Sequence, residues 1–589
     1  MKLDYSKDNL LTDFSKITLR DRYMLPGEDS PQEAFARAAE AFADDDDHAQ
    51  RIYDYASNLW FMFATPVLSN GGTKRGLPIS CFLNYVEDSR EGITDHFTEN
   101  AFLSSFGGGI GGYWGDVRSA GTKTSKGSES TGVVPFLKVV DAEMLAFSQG
   151  ITRRGSYASY IDINHPEIEE FLDVRKPTGG DSNRKCLNLH HGVVISDKFM
   201  EKIHLATKEQ GYDDSWQLVD PHSGEVKKTV SARALWVKIL QNRMETGEPY
   251  IMFEDAVNNN LPEFQKKKGL RVHQSNLCSE ITLATNEERT AVCCLSSVNL
   301  EYYDEWKNIP AFIPDLIRFL DNVLEYFINN APESLSRAKY SAKRERSIGL
   351  GAMGFHAYLQ KNMVPFESGI ASAFNDEIFT HIKGQADKET RRLAVERGAC
   401  PDDDTASVRN AHLLAIAPNA SSSILCGNTS PSIEPFRANA FNQKTKSGSN
   451  LLKNKYLDNL LMQKIGHAEI YEETWRSIVM NKGSVQHLDC LTEEEKDIFK
   501  TAVEINQSWV IEHAAQRQEH ICQAQSLNLF FPPDVNKGDL HNAHMLAWAK
   551  NLKTLYYLRS EAISRADDVS NQAKREIIFE QSDCLSCEG

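Results

Sequence analysis

The run GVVIS at residues 192–196 decides the fold class. Five residues, mostly apolar and β-branched, form a short apolar run that reads as a strand. A second such run, PYIMF, follows at 249–253, and DLIRFLDNVLEYFINN at 315–330 places its apolar residues at helical spacing. From Ala64 to about residue 440 short apolar runs alternate with amphipathic helices in this way. Strands alternating with helices predict an α/β sheet or barrel.

Outward from that region the pattern changes on both sides. PQEAFARAAEAFADDDDHAQRIYDYASNLWFMF at 31–63 predicts two helices around the acidic run Asp44 to Asp47, which reads as a solvated turn. ATPVLSNGG then introduces Pro, Asn and Gly punctuation, so a new domain is expected to begin near Ala64. Past residue 450 the chain reads as helical, with 494–524 the longest stretch of helical period. The last segment, 565–589, has little apolar patterning and is expected to be mobile. The expected organisation is a helical region at 1–63, an α/β unit with a helical segment at 64–564, and a tail at 565–589.

The chain has 589 residues, enough for three or four domains unless it forms one long barrel. Its 65 Lys and Arg against 82 Asp and Glu give a net charge of −17, with no basic run. A nucleic-acid groove or an anionic membrane surface is therefore excluded as a partner, while nucleotides stay open because backbone N–H groups can bind phosphate. The opening MKLDYSKDNLLTDFSKITLRDRY has no apolar core of a signal peptide, and no apolar run approaches the length of a membrane span. A cytoplasmic protein is expected. Its eleven cysteines are then expected to be mostly reduced; they are too scattered for a disulfide framework and supply no metal ligand set.

Three stretches carry chemistry. In SNLCSEIT at 275–282, an extended backbone would turn Asn276, Cys278 and Glu280 to one face. A lone Cys is more often a core residue, but a core strand would not normally turn an amide and a carboxylate to the same face as its thiol. DCLSCEG at 583–589 puts Cys584 and Cys587 in a Cys-x-x-Cys pair at the end of the chain; taken alone it is an incidental pair or half a zinc site. TLYY contains the adjacent Tyr556 and Tyr557, by themselves ordinary packing residues.

These stretches occur in order with PISCFLNYVEDS (78–89), AVCCLSSVNL (291–300), RSIGLGAMGF (346–355), QAQSLNLF (523–530) and LKTLYYLRS (552–560). Together, from about Ala64 to Gly589, they resemble the large, catalytic subunit of class I ribonucleotide reductases. The resemblance implies a ten-stranded α/β barrel with a central finger loop carrying Cys278, and reduction of ribonucleoside diphosphates to deoxyribonucleotides. It makes Cys278 the transient thiyl radical that takes the 3′ hydrogen, Glu280 the general base on the 3′ hydroxyl and Asn276 a partner of the ribose. Cys81 and Cys293 match the family's reducing pair, and Cys294 is then structural. Cys584 and Cys587 become a dithiol shuttle that meets thioredoxin or glutaredoxin. Tyr556 and Tyr557 match the dyad that passes an oxidising equivalent to Cys278. This chain is then expected to bind no cofactor or metal itself and to take its radical from a separate, metal-containing small subunit of ferritin-like type.

The resemblance also assigns nucleotide contacts. Thr65 and Ser80 match substrate ligands, and Gly109 lets backbone approach the substrate. APNASSSILCGNTSPSIEPF at 417–436 resembles the phosphate loop, with Asn419, Ala420, Ser421 and Ser422 as ligands; a structural Ser-rich turn is the alternative. Asp88 and Ser89 match effector ribose ligands and Arg118 an effector phosphate ligand. Arg153, in GITRRGSYAS at 150–159, belongs to the relay toward the substrate pocket or is a surface charge. A homodimer with deoxynucleotide or ATP effectors is expected. Only residues 1–63 precede ATPVLS, which predicts no N-terminal ATP cone. The rivals are an adenosylcobalamin-dependent reductase, against which the tyrosine pair speaks, a glycyl-radical reductase, whose C-terminal motif is missing, and a non-catalytic nucleotide-binding regulator, against which the intact cysteines speak.

Overall fold

The computed structural model describes residues 1–149, 153–445 and 448–560. At the N-terminus three helices, Asp13–Arg22 (α1), Pro31–Phe42 (α2) and Asp46–Ser57 (α3), pack against the body of the protein. Each begins on an oxygen-bearing cap, Thr12, Ser30 and Asp45, which accepts an otherwise orphaned backbone N–H. Asp46 and Asp47 lie in the first turn of α3, where the helix dipole favours negative charge. The acidic run is exposed and bends between the two helices as expected, with its second half beginning α3. Asp44, just before it, accepts hydrogen bonds from Arg397 at 2.6 and 2.7 Å, Arg318 at 3.0 Å and Asn322 at 2.7 Å, tying the helical region to the helices behind the sheet.

Those rear helices include Phe312–Asn330 (α4), the expected amphipathic segment, and Gly369–Arg397 (α5), the 29-residue helix along which α4 packs. The stretch 494–524 differs from expectation. It holds two helices, Glu493–Ile498 and Gln507–Gln518, separated where Asn506 caps the second. Helical period alone could not see that break, because neither Pro nor Gly marks it. No described helix is long and apolar enough to cross a membrane.

The first strand, Phe61–Phe63 (β1), pairs antiparallel with the far end of Ala291–Asn299. Then Cys81–Tyr85 (β2), Gly109–Tyr113 (β3), Ser156–Asp162 (β4), His190–Ile195 (β5) and Tyr250–Phe253 (β6) lie side by side in that order, all parallel. GVVIS and PYIMF are thus neighbours, with Tyr250 opposite Gly192 and Phe253 opposite Ile195. A second parallel set begins with Ala291–Asn299 (β7) and Ile348–Met353 (β8). It continues through single bridges, Leu350 to Leu414 and Ile416 to Gln525, into Leu529–Phe531 (β9). Thr554–Leu555 (β10) and Leu558–Ser560 (β11) form its last stave, β11 parallel to β9.

The two sets meet antiparallel at two seams, β7 on β2 with Cys293 opposite Cys81, and β10 on β6 with Leu555 opposite Ile251. The ten extended segments so joined form the expected barrel: five parallel staves in one half, five in the other. Its interior is not filled by strand side chains alone. Residues 271–285 thread through it, and two glycines of β3 make the room. A Cβ on Gly111 would stand 2.0 Å from the Ser275 carbonyl oxygen, and one on Gly109 would stand 3.1 Å from Leu277. Two glycines of FGGGIGG, Gly109 and Gly111, therefore serve the finger, while Gly108 and Gly112 make room for Phe82 and Tyr157.

Candidate active site

The tip of the finger is a turn, which corrects the extended backbone expected for 275–282. Leu277 and Cys278 sit at its apex, and Ser279 takes a left-handed backbone with φ of 68°. The reason lies in Asn276. Its side-chain oxygen accepts the backbone N–H of Glu280 at 3.1 Å and of Ile281 at 3.2 Å, folding the chain back on itself as Asn side chains do in turns. Asn276 and Glu280 meet at the Cys81 sulfur through this turn, with Cys278 at its apex. Cys278 lies in an apolar cluster with Tyr113, Tyr160, Tyr250, Tyr556 and Tyr557.

Glu280 is fully buried. Burial pushes its carboxyl up to about 7, against hydrogen bonds from its own backbone, Asn276, Ser526 and Cys81 that favour the charged form. The Cys81 thiol points at its Oε1 at 3.8 Å, and the Asn276 amide N–H₂ donates to the same sulfur at 3.3 Å. A carboxylate, a thiol and an amide thus meet at one point. A carboxyl that titrates near neutrality can both take and return a proton, the property general acid–base work needs.

Cys293 faces Cys81 across the β2/β7 seam, both as thiols. Burial first, then the neighbouring thiols of Cys294 and Cys81, hold the Cys293 thiol well above the usual range, so it is protonated. Cys294 points the other way and donates to the Leu320 carbonyl of α4 at 3.3 Å.

Tyr556 and Tyr557 occupy the gap between β10 and β11, their ring centres 4.3 Å apart. Tyr250 closes the group at 4.8 Å from Tyr556 and 5.1 Å from Tyr557. The Tyr557 hydroxyl lies 3.2 Å from His190 Nδ1, which is itself 2.6 Å from Glu248 Oε1, and the Arg559 guanidinium covers the Tyr557 ring at 4.1 Å. Sequence reasoning missed Tyr250, His190 and Glu248, since nothing local marks PYIMF or LHHG as more than strand. It also missed Gln523 and Ser526. Gln523 donates to the Cys293 sulfur at 3.5 Å, and Ser526 donates to the Cys278 carbonyl at 2.6 Å.

The nucleotide residues are placed as follows. Ser80 lies beside Cys81, its hydroxyl 3.5 Å from that sulfur and its carbonyl accepting the Gly109 N–H at 2.7 Å. Thr65 starts the short helix Thr65–Asn70 and bonds Tyr23 of the helical region at 3.0 Å. Asn419 has φ of 56° and heads Ala420–Leu425, so Ala420, Ser421 and Ser422 form the first turn of a helix. The Asn419 amide oxygen accepts Ser297 Oγ at 2.9 Å, and its nitrogen reaches the Ala352 and Ala417 carbonyls, which ties this turn to β7 and β8.

The residues expected to bind an effector lie elsewhere. Ser89 caps the helix Arg90–Ser105 (α6), and Asp88 before it pairs with Arg118 at 2.9 Å and His222 at 3.0 Å. Arg153 is placed only by its backbone, in a two-residue strand opposite Ser148–Gln149. Cys584 and Cys587 lie outside the described residues. A cavity of about 430 Å³ opens at the ends of β3 and β4, lined by Asp116, Asp162, Arg271 and His273 among others; neither Cys278 nor Glu280 belongs to its walls.

Two family models match the chain. The ribonucleotide reductase all-alpha domain covers residues 9–76, and the ribonucleotide reductase barrel domain covers 79–408 and 402–558. The chain is 45% identical over 635 residues to the ribonucleoside-diphosphate reductase large subunit of Invertebrate iridescent virus 3, covering 100% of both chains. It is 32% identical to the corresponding subunit of Invertebrate iridescent virus 6, over 97% of this chain and 94% of the relative. Its fold is similar to that of the Actinobacillus ureae class Id ribonucleotide reductase alpha subunit, with a TM-score of 0.82 and 36% identity, over 96% of this chain and 100% of the other.

Proposed function

This chain belongs to the ribonucleotide reductase large subunits of class I, and from that premise we propose how its residues divide the reduction of a ribonucleoside diphosphate. The chain is the catalytic one, and its radical comes from a separate small subunit. The oxidising equivalent passes Tyr557 and then Tyr556 to Cys278, each step moving an electron with its proton. The Cys278 thiyl takes the 3′ hydrogen of the ribose while Glu280 takes the 3′ hydroxyl proton. The 2′ hydroxyl then leaves as water after gaining a proton. Cys81 and Cys293 supply two electrons and close a disulfide, and Cys278 returns a hydrogen to C3′ to regain its radical.

The single observation that carries this division is the meeting of Glu280 with Cys81 at 3.8 Å, where Cys293 stands directly opposite Cys81. Base and reductant then share one pocket at the finger tip. Thr65, Ser80 and Gly109 line the substrate's approach, and the turn at Asn419 to Ser422 holds its diphosphate.

The remaining assignments follow from the family. Cys584 and Cys587 reduce the internal disulfide by exchange and pass it to thioredoxin or glutaredoxin. The small subunit is a metal-containing, ferritin-like protein. Asp88, Ser89, Arg118 and Arg153 take a nucleoside triphosphate effector. A second copy of the chain docks beside them: α6 and the helix Val134–Ala146 leave Phe102, Val139 and Leu145 exposed, with Phe147 next to them. We divide the chain at residues 63 and 564 and place it in the cytoplasm.

The test is reduction of CDP by the purified chain, assayed alone, with adenosylcobalamin and with a class I small subunit. Deoxynucleotide should form only in the last case. Turnover with adenosylcobalamin alone would replace the tyrosine route.

A further inference from the structure

The segment Gln523 to Ser526 runs alongside the returning arm of the finger and grips it at three points. The Gln523 side-chain oxygen accepts the Thr282 N–H at 3.3 Å, the Ala524 N–H donates to the Glu280 carbonyl at 2.9 Å, and the Ser526 hydroxyl donates to the Cys278 carbonyl at 2.6 Å. The same Ser526 hydroxyl lies 3.1 Å from Glu280 Oε2. Ser526 is buried, and its own N–H is engaged by the Ile416 carbonyl, so the oxygen is fixed between the two groups.

A serine hydroxyl has one proton to give and two lone pairs to receive with. It can donate to the Cys278 carbonyl or to the Glu280 carboxylate, but not fully to both. When Glu280 is ionised, Oε2 competes for the Ser526 proton, and a hydrogen bond to a charged acceptor is the stronger one. When Glu280 is protonated, its O–H can donate to Ser526, and the serine proton is released to the Cys278 carbonyl.

We propose that Ser526 is a positioning residue that switches its single proton between Glu280 and the backbone carbonyl of Cys278, so that the charge on the base sets how firmly the cysteine is held. No bond is made or broken beyond the hydrogen bonds, and the proton of Glu280 goes to or comes from the ribose hydroxyl. The inference rests on the roles given above to Glu280 and Cys278. The other groups that face this carboxyl are Cys81 from β2, Asn276 from the finger, and, through their fields, Cys293 from β7 and Tyr160 from β4.

Two measurements test it. First, the pH dependence of kcat and KM for CDP reduction is compared between wild type and Ser526→Ala in the complete enzyme with its small subunit. Losing the donor to the carboxylate should move the acid limb of kcat up by about one pH unit, with KM changed little and most activity regained at high pH. A uniform loss at every pH with the limb unmoved would mean a merely structural serine and would overturn the proposal. Second, and independent of whether that variant folds, the infrared band of the Cys278 carbonyl can be followed in wild type carrying ¹³C-carbonyl cysteine, with Cys278→Ser subtracted. The band should shift with pH near neutrality and stop doing so in Glu280→Gln. A band that ignores pH in wild type would overturn the switch. Full turnover by Glu280→Gln would instead remove the base assignment and leave the hydrogen-bond result standing.

Discussion

Cys81 and Cys293 are direct partners across the antiparallel seam between β2 and β7. Residues so placed have Cα atoms about 4.5–5.5 Å apart, inside the span a disulfide bridges. The pair can therefore oxidise without moving the barrel wall. With Cys584 and Cys587 replaced by Ser, so that the tail cannot exchange, one turnover without external reductant should leave a Cys81–Cys293 bridge on peptide mapping and Cys294 still open to alkylation. A bridge through Cys294 would contradict the assignment.

Glu280 gives the reaction an acid limit. Burial raises its carboxyl to about 7, and the base must be ionised to act, so kcat should fall as pH drops through that value. The same burial penalises the ionised fold. An unfolded glutamate ionises near 4.5, so between about 4.5 and 7 rising pH removes stability, and above 7 the loss is complete. Glu280→Gln should therefore stabilise the protein at pH 8 by on the order of 3 kcal/mol relative to its effect at pH 4. Melting temperatures at the two pH values measure this; an equal effect at both would show that Glu280 is not so shifted.

Gly111→Ala should displace the finger, because its new methyl would stand 2.0 Å from the Ser275 carbonyl oxygen. Backbone on both sides leaves little room to yield, and a cost of about 1–3 kcal/mol or more is expected, with activity lost. Normal melting and turnover would mean that the finger does not pass where the structure has it.

Much of this was legible in the sequence, and the exceptions share a cause. GVVIS and PYIMF were legible as strands from their short apolar runs, and the structure makes them neighbours. The extended backbone read for Asn276, Cys278 and Glu280 is a turn instead, because a side-chain oxygen that caps a turn leaves no periodic trace. The Cys81–Cys293 pairing, the His190–Glu248 contact with Tyr557 and the Ser526 contact with Glu280 join positions 212, 58 and 246 or more residues apart. Such contacts are set by barrel closure, which no local pattern records. The exposed bend at Asp44 to Asp47 was legible, but the arginine partners of Asp44, 274 and 353 residues away, were not.

Tyr556→Phe and Tyr557→Phe should each fold normally and bind substrate with unchanged affinity. Both rings are buried against Tyr250, and phenylalanine keeps that packing. Phenylalanine has no phenolic proton to release with its electron, so deoxynucleotide formation should fall to background. Wild-type turnover by either variant would remove the dyad from the radical route.

The most direct test of the whole account is Cys278→Ser. The substitution exchanges sulfur for oxygen at the apex of the finger and leaves Asn276, Glu280 and the Cys81–Cys293 pair in place. Assayed for CDP reduction with a class I small subunit and dithiothreitol, and for CDP binding in parallel, it should bind substrate as wild type does and form no deoxynucleotide. Substantial turnover by this variant would contradict a thiyl radical at Cys278.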